Sequence, residues 1–295
     1  MAGFYLIDNR LELPELQFGK LRKYDKYSLE WLNGALCIVG HGNTASSSFE
    51  SNDYDKFLVD TLSLVKEPRG HNWDWGIKMF DKDRLFKWLK RYGLPVAHDI
   101  PSSIVEELNE PHSSGSLICY PMQDFANHAG ALYLIYKLHE SIYDESKNEI
   151  ARYMLFLHSH PLVRFSPERG REKTLELIEA QYASMSLEDK IQRGYNLIGQ
   201  RLDVELNSMK LGFDHSQQLF YIEAFSLFDL CYYRLAVLIA QSKSEGKPTY
   251  RNHIKRCDYC KRIFWGHGNR DYCSFCPRST VFSRRHLNKS GRETP

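Results

Sequence analysis

The chain has 295 residues, of which 42% are apolar and 26% are charged, and this balance excludes fibrous and disordered proteins. The formal net charge of +2 hides an asymmetry, because residues 251–295 hold eleven basic and three acidic residues, a net of +8, while the first 250 residues carry −6. A strongly basic end on a mildly acidic body favours an anionic partner such as nucleic acid.

The first half of the chain predicts a few strands and one helix. The apolar run 34–40 predicts a strand that is followed by a polar loop, 41–55, and the run 57–65 predicts a second strand. Prolines, glycines and tryptophans at 66–75 are typical of a loop. Residues 81–92 predict a helix, since Asp81 can cap its first turn and Gly93 can end it.

The second half predicts helices. Apolar residues at helical spacing indicate three of them before residue 186, at 124–140, 148–157 and 167–184. Ser186 and Asp189 have the form of a capping box that opens the next helix, and 216–244 is the strongest predicted helix. We therefore expect a mainly α fold with a small N-terminal β portion. Its parts are an α+β segment, 1–115, a helical bundle, 116–248, and a basic zinc-finger tail, 249–295.

The most apolar stretch, 219–240, is better explained as a buried helix than as a membrane span, because Glu223, Asp229 and Arg234 interrupt it. The opening residues 1–8 lack the basic start and long apolar run of a secretory signal. The seven cysteines are odd in number, and four of them cluster near the end of the chain. This pattern favours a reducing compartment, and we expect a cytoplasmic protein without a membrane partner.

The clustered cysteines form two Cys-x2-Cys pairs. Cys257 and Cys260 are followed after twelve residues by Cys273 and Cys276. Two residues between cysteines let one tight turn direct both sulfurs at the same ion, and two such turns close a tetrahedral zinc site. We expect these four thiolates to bind Zn²⁺. The alternative is that His253 or His267 takes the place of one of the cysteines. Metal binding would then order a tail that has little core of its own.

A basic segment follows the last cysteine and carries no acidic residue between Pro277 and Arg292. Its cations, together with one that precedes the second cysteine pair, are the predicted contacts to nucleic-acid phosphates: Arg270, Arg278, Arg284, Arg285 and Lys289. These residues suit contacts with the backbone of nucleic acid, whereas base readout does not follow from them. The alternative is a solvated tail that only keeps the protein soluble.

With these residues in view, the chain resembles the bacterial ABATE-domain proteins that carry a CGNR-type zinc finger. The family's "L-C-L-x-x-x-N-T" strand is matched by 36–38 with Asn43-Thr44, and its "L-x-x-W-L-x-x-x-G-L" helix by 85–94. The finger's aromatic-Cys-Ser step is matched at 272–274, and its closing basic run at 283–285. Pro277 and Arg278 stand after the last cysteine where the family has Gly-Asn-Arg, so the chain resembles a divergent member.

The resemblance implies a predicted transcription regulator with a nucleic-acid-binding finger, DNA being favoured over RNA. It also implies a helical body that senses a small molecule or forms a homodimer. The candidate ligand pocket consists of Asn43, Thr44, His71, Trp73 and Trp88. Burial of the Trp73 and Trp75 rings in a core is the alternative for that cluster.

Two other functions stay open. The first is a protein-interaction module in which zinc is purely structural. The second is an enzyme with a pocket near His41, His71 and Asp74, although no order of Ser, His and Asp or of Cys and His stands out. We therefore expect no catalytic residues.

Overall fold

A computed structural model describes residues 6–7, 10–11, 15–18, 21–32, 34–47, 54–67, 76–95, 118–159, 171–214, 219–244, 254–260, 262–266 and 272–273. Over these residues the protein is mostly helical, with small, mainly antiparallel sheets. Two short strands, β1 (Leu6–Ile7) and β2 (Arg10–Leu11), pair with each other near the start.

A long hairpin forms the first large element. Strand β4 (Leu21–Leu32) pairs with β5 (Ala35–Ser47) across a turn at Gly34, whose φ of 80° suits glycine. Strand β6 (Ile118–Pro121) adds to β5 on the other side. The predicted strand 34–40 is confirmed, but the polar loop expected from residue 41 is wrong up to Ser47. The backbone of this polar stretch remains extended because it pairs with the first residues of β4.

The two faces of this sheet differ. Tyr27 and Ile38 lie on the face that packs into the main core, whereas the opposite face buries Cys37, Val39 and Cys119 in a small cluster of its own. Alternation along each strand places successive side chains on opposite faces. Cys37 and Cys119 are therefore buried thiols within this smaller cluster.

Two helices follow the hairpin. Helix α1 (Tyr54–Leu62) occupies the region predicted as a second strand, and that prediction is wrong. Phe57, Leu58, Thr61 and Leu62 recur at helical spacing and are all buried, so packing of this one face outweighs the strand preference of Val59 and Thr61. Helix α2 (Lys82–Tyr92) is confirmed: the Asp81 carboxylate accepts the Arg84 N–H, and Gly93 follows the last turn with φ of 86°.

The centre of the molecule is helix α3 (Met122–Tyr143), in which 17 of 22 residues are buried. It packs against α1, β5 and three later helices. These are α4 (Lys147–Ser159), α6 (Leu187–Leu206) and α7 (Leu227–Ser244). Phe125 is fully buried on α3, and its ring lies 5.4 Å from that of Trp88 and 5.2 Å from that of Phe228. The predicted helices at 124–140 and 148–157 are confirmed.

Helix α5 (Arg171–Ser184) occupies most of the predicted helix 167–184 and packs on α4. Ser186 is confirmed as the N-cap of α6, because the Asp189 N–H donates to Ser186 Oγ at 3.1 Å. Among the described helices, none combines the length and the apolarity that crossing a bilayer requires.

Two strands of a second sheet follow α6 in the chain and precede α7. Strands β7 (Lys210–Asp214) and β8 (Leu219–Ala224) are antiparallel, and β3 (Glu15–Phe18) adds to β8 in parallel. The first part of the helix predicted at 216–244 is therefore wrong. The helix begins only at Leu227. The Asp229 carboxylate in its first turn accepts the N–H groups of Phe225 and Ser226, the two residues before the helix, at 2.9 and 2.8 Å.

Candidate metal centre

The last described elements form a small hairpin. Strand β9 (Ile254–Arg256) pairs antiparallel with β10 (Ile263–Trp265), and the turn between them carries the first cysteine pair. The Cys257 N–H donates to the Arg262 carbonyl oxygen at 2.8 Å, which holds the turn closed. We call residues 254–260, 262–266 and 272–273 the knuckle.

Three sulfurs converge in the knuckle. The Sγ atoms of Cys257, Cys260 and Cys273 all lie within 4.8 Å of one another. The Cys260 and Cys273 sulfurs are 3.6 Å apart, far longer than the roughly 2.05 Å of a disulfide. Two thiolates on a tetrahedral zinc with Zn–S bonds of about 2.3 Å would be about 3.8 Å apart. The three thiols are therefore close enough to share one metal ion, and their spacing fits zinc.

The environment of Cys257 favours its thiolate. Its side chain is fully buried, and burial alone would raise the pKa of the thiol. Backbone N–H groups of Cys260, Cys273 and Tyr259 donate to the sulfur and more than offset this effect, lowering the pKa to about 7. The donor from Cys273 lies 3.3 Å from Cys257 Sγ. A sulfur surrounded by N–H donors is prepared to bind a cation because the thiolate is the metal ligand.

Few apolar side chains support the three sulfurs. Phe264 is buried with Cys257 and Cys273 in a cluster of their own, and Tyr272 packs against it. Such a small core cannot contribute much hydrophobic stabilisation, since burial of one large apolar side chain is worth about 1.5–3 kcal/mol. The knuckle therefore depends on another source of free energy to hold three thiols together.

The knuckle is also attached to the helical body. Ile254 and Ile263 are buried in the main core, and β10 lies against α1. Arg256 forms an ion pair with Glu67, which also accepts the Tyr153 hydroxyl at 3.0 Å. The body thus contributes both apolar contacts and a carboxylate to the base of the knuckle.

A second ion pair joins the knuckle to α2. Arg262 lies 3.4 Å from the Asp81 carboxylate, whose other oxygen caps this helix through the Arg84 N–H. Burial raises the pKa of Asp81, but the Arg84 N–H and the Arg262 charge outweigh it and hold that pKa below its ordinary value of 3.8. The Asp81 carboxylate therefore both caps α2 and pairs with an arginine of the knuckle.

Arg84 brings a positive charge from α2 towards the sulfurs. Burial lowers the pKa of Arg84, the Arg262 guanidinium lowers it further, and the Cys273 and Cys260 thiols act in the opposite direction. Sequence reasoning missed Glu67 and Arg84, and it recognised Asp81 only as a helix cap. No local pattern links these residues to cysteines almost 200 positions away.

The remaining predicted zinc and phosphate ligands lie outside the described residues. These are Cys276, the alternative ligands His253 and His267, and the cations Arg270, Arg278, Arg284, Arg285 and Lys289. Three of the four predicted cysteine ligands are thus brought together, and the fourth stays a prediction.

The candidate ligand pocket is described only in part. Trp88 is 4% exposed within the core, and its indole N–H donates to Thr61 Oγ1 at 3.1 Å. Asn43 and Thr44 belong to strand β5, while His71 and Trp73 lie outside the described residues.

His41, part of the predicted enzyme pocket, contacts two polar side chains of β4. Ser28 Oγ lies 2.6 Å from His41 Nε2, and Glu30 Oε1 lies 3.0 Å from the same nitrogen. A catalytic triad places serine and carboxylate on different ring nitrogens, so this arrangement does not have triad geometry. His71 and Asp74, the other two residues of that hypothesis, lie outside the described residues.

Comparisons of the chain with protein-family models, with curated proteins and with solved structures found no match.

Proposed function

We propose that this protein is a zinc-dependent nucleic-acid-binding protein that acts as a transcription regulator. The observation that carries the proposal is the convergence of three thiols within 4.8 Å at the start of a segment whose net charge is +8. A metal ion there would fix the orientation of a cationic surface that the apolar contacts of the knuckle cannot fix alone.

In this proposal Cys257, Cys260, Cys273 and Cys276 hold the ion. Four thiolates complete a tetrahedral site and leave no open position, which is the arrangement of a structural zinc. Zinc would supply binding free energy for folding and no reaction chemistry. The N–H groups around Cys257 and the Arg84 guanidinium support the proposal because they offset the charge of several adjacent thiolates.

The described arginines of the knuckle limit where phosphates would bind. Arg256 and Arg262 are engaged in ion pairs with Glu67 and Asp81. The contacts to phosphate are therefore assigned to cations beyond these pairs: Arg270, Arg278, Arg284, Arg285 and Lys289. Each phosphate contact on duplex DNA should steepen the salt dependence of log K by about −0.9.

The body is proposed to act as the regulatory part, by sensing a small molecule or by forming a homodimer. Two ion pairs and two buried isoleucines connect it to the knuckle. A conformational change in the body near Glu67 or α2 would therefore alter contacts that position the knuckle and its cysteines. DNA is favoured over RNA on the family resemblance.

Fluorescence anisotropy tests this function with a labelled 20-base-pair DNA duplex and an RNA duplex of the same sequence, each at two salt concentrations. We expect binding that weakens as salt rises and that falls at least tenfold in the double variant Arg284→Ala/Arg285→Ala. The matched control is Lys56→Ala/Lys90→Ala, which removes two exposed cations from the body. Absence of binding at low salt, or equal affinity of the two double variants, would contradict the proposal.

A protein-interaction module with a structural zinc is the second candidate. The cysteine pairs suit either function, because a structural zinc can stabilise a protein-docking surface as well as a nucleic-acid-binding one. A protein partner that co-purifies with the full chain, and is lost with Cys257→Ser, would favour this candidate when nucleic acid fails to bind.

A further inference from the structure

Strand β7 exposes apolar side chains at the edge of a sheet. Leu211 is 58% exposed and Phe213 is 40% exposed, and they lie two residues apart on the same face. Ile222, opposite Leu211 on β8, is half-buried and extends this apolar stripe. In the described part of the chain β7 is the last strand of its sheet and pairs with β8. An apolar strand with one open edge is a template for pairing with another strand.

The sequence of β7 is complementary to itself. It reads Lys210-Leu211-Gly212-Phe213-Asp214. If two copies of this strand run antiparallel about a two-fold axis at Gly212, Lys210 of one copy stands opposite Asp214 of the other, twice. Leu211 likewise stands opposite Phe213 twice, on the other face. Opposite charges and large apolar residues are the favourable cross-strand pairs.

We propose that β7 is the dimer interface of this protein and that its occupant is β7 of a second copy. The pairing would join two three-stranded sheets into one of six strands. Such an interface is isologous, so each favourable pair is formed twice. The proposal rests on the homodimer branch of the proposed function and specifies its interface, while its tests measure association and require neither the metal nor nucleic acid.

Gly212 suits the centre of this interface. A Cβ atom there would lie 2.3 Å from the Tyr221 ring, so the ring covers the glycine from β8. An aromatic ring over a glycine in an edge strand compensates for the missing side chain. The two-fold axis would therefore pass through a position where the Tyr221 ring takes the place of the missing side chain.

The interface is short, at five residues for each copy. A stable interface usually has about 20–30 residues a side, so a dimer held by this strand alone should be weak and should form at high protein concentration. Sedimentation velocity of the full chain over a concentration series measures this association. A chain that stays monomeric into the millimolar range would overturn the proposal.

Two charge variants test the register. Lys210→Glu places two negative charges opposite each other in the dimer, and Asp214→Lys places two positive charges opposite each other. Each variant alone should raise the dimer Kd about tenfold, because two attractive pairs become repulsive. In a 1:1 mixture, however, every pair across the hetero-dimer has opposite charges, and association should return to near the original value. Failure of the mixture to associate more strongly than either variant alone would overturn the register.

The mixture also serves as a control for folding, because a variant that had lost its fold would not associate with the other variant. Lys210 stands opposite Glu223 on β8 and its ammonium lies 4.9 Å from the Phe225 ring, so Lys210→Glu can lower monomer stability. Thermal melts of both variants measure this directly.

A third variant tests the apolar face. Leu211→Glu should raise the dimer Kd at least tenfold, since it replaces an apolar contact made twice. The matched control is Val204→Glu on α6, where the wild-type side chain is 66% exposed. Hydrogen exchange of the amides at 210–214 should slow as concentration rises in the parent and in Val204→Glu. Equal dimerisation of the Leu211 and Val204 variants would overturn the proposal.

Discussion

Helix α3 has 17 of its 22 residues buried and lies at the centre of one large apolar core. The knuckle, in contrast, has a cluster of its own with just three buried members in the described residues, Cys257, Phe264 and Cys273, two of which carry thiols. Removal of water from apolar surface is enough to stabilise the first region. The second brings polarised sulfurs together, which costs free energy unless a cation binds them. One chain therefore uses two sources of stability, and they should respond to different perturbations.

Metal removal should separate the two regions most strongly. Cys257→Ser is expected to lower bound zinc from about one ion per chain to well below one, because a serine hydroxyl stays protonated at pH 7 and cannot replace a thiolate ligand. Metal analysis of the purified protein measures this, while far-ultraviolet circular dichroism should show the helices retained. Cys119→Ser, which changes a buried cysteine outside the cluster, is the control and should keep its metal. Equal metal content in both variants would remove the distinction between the regions.

A substitution in the apolar core should affect the body and leave the metal centre intact. Phe125→Ala should lower the free energy of unfolding by about 3–5 kcal/mol, because the ring is fully buried against three other aromatic side chains. Urea denaturation followed by circular dichroism gives this value. Leu177→Ala, at a side chain that is 72% exposed, should change it by less than about 0.5 kcal/mol. Folded Phe125→Ala protein should still bind one zinc, and loss of the metal would show that the two regions are coupled.

Acidification should affect the knuckle before the body. The pKa of Cys257 is lowered from 9.0 to about 7, so its thiolate contributes stability that is complete above pH 9 and is lost as pH falls through 7. Protons then compete with the metal, and zinc affinity should fall at least tenfold between pH 8 and pH 6. Competition with a chromophoric chelator measures the affinity, with helicity recorded in parallel. An affinity that is flat over this range would show that Cys257 is not a ligand.

The smallest effect concerns the contact between the two regions. Glu67→Gln removes the charge that pairs with Arg256 and should weaken docking of the knuckle by about 1 kcal/mol, since the pair is partly exposed. Faster hydrogen exchange at 254–256 would report the loss. Glu149→Gln is the control, because it breaks a comparable pair with Arg152 inside α4. If both variants left exchange at 254–256 unchanged, the ion pair would have no part in docking.

Local signals predicted several elements because their causes lie within a few residues. Asp81 and Gly93 bound α2, and Ser186 caps α6, through contacts that span one turn. The Cys-x2-Cys spacing predicted the convergence of Cys257 and Cys260 for the same reason, since one turn holds both sulfurs. Short-range geometry of this kind can be read from sequence.

Other elements depend on partners far along the chain. Residues 219–224 look helical as the start of a long apolar run, yet they form a strand that pairs with β7, just before it, and with β3, some 200 residues earlier. A continuous apolar run fits either period, and the pairing partners decide. The ion pairs of Arg256 with Glu67 and of Arg262 with Asp81 also join residues that are far apart in the chain. No pattern near either residue indicates its partner.

The shared carboxylate of Asp81 has a practical consequence for dissecting the protein. A chain cut after residue 248 would lose more than its metal ligands, because Asp81 and Glu67 would lose their arginines and the core would lose Ile254 and Ile263. The shortened body should therefore melt at a lower temperature than the same region does within the intact chain. Point substitutions at the cysteines, which leave these contacts in the sequence, are the better way to ask what the body does by itself.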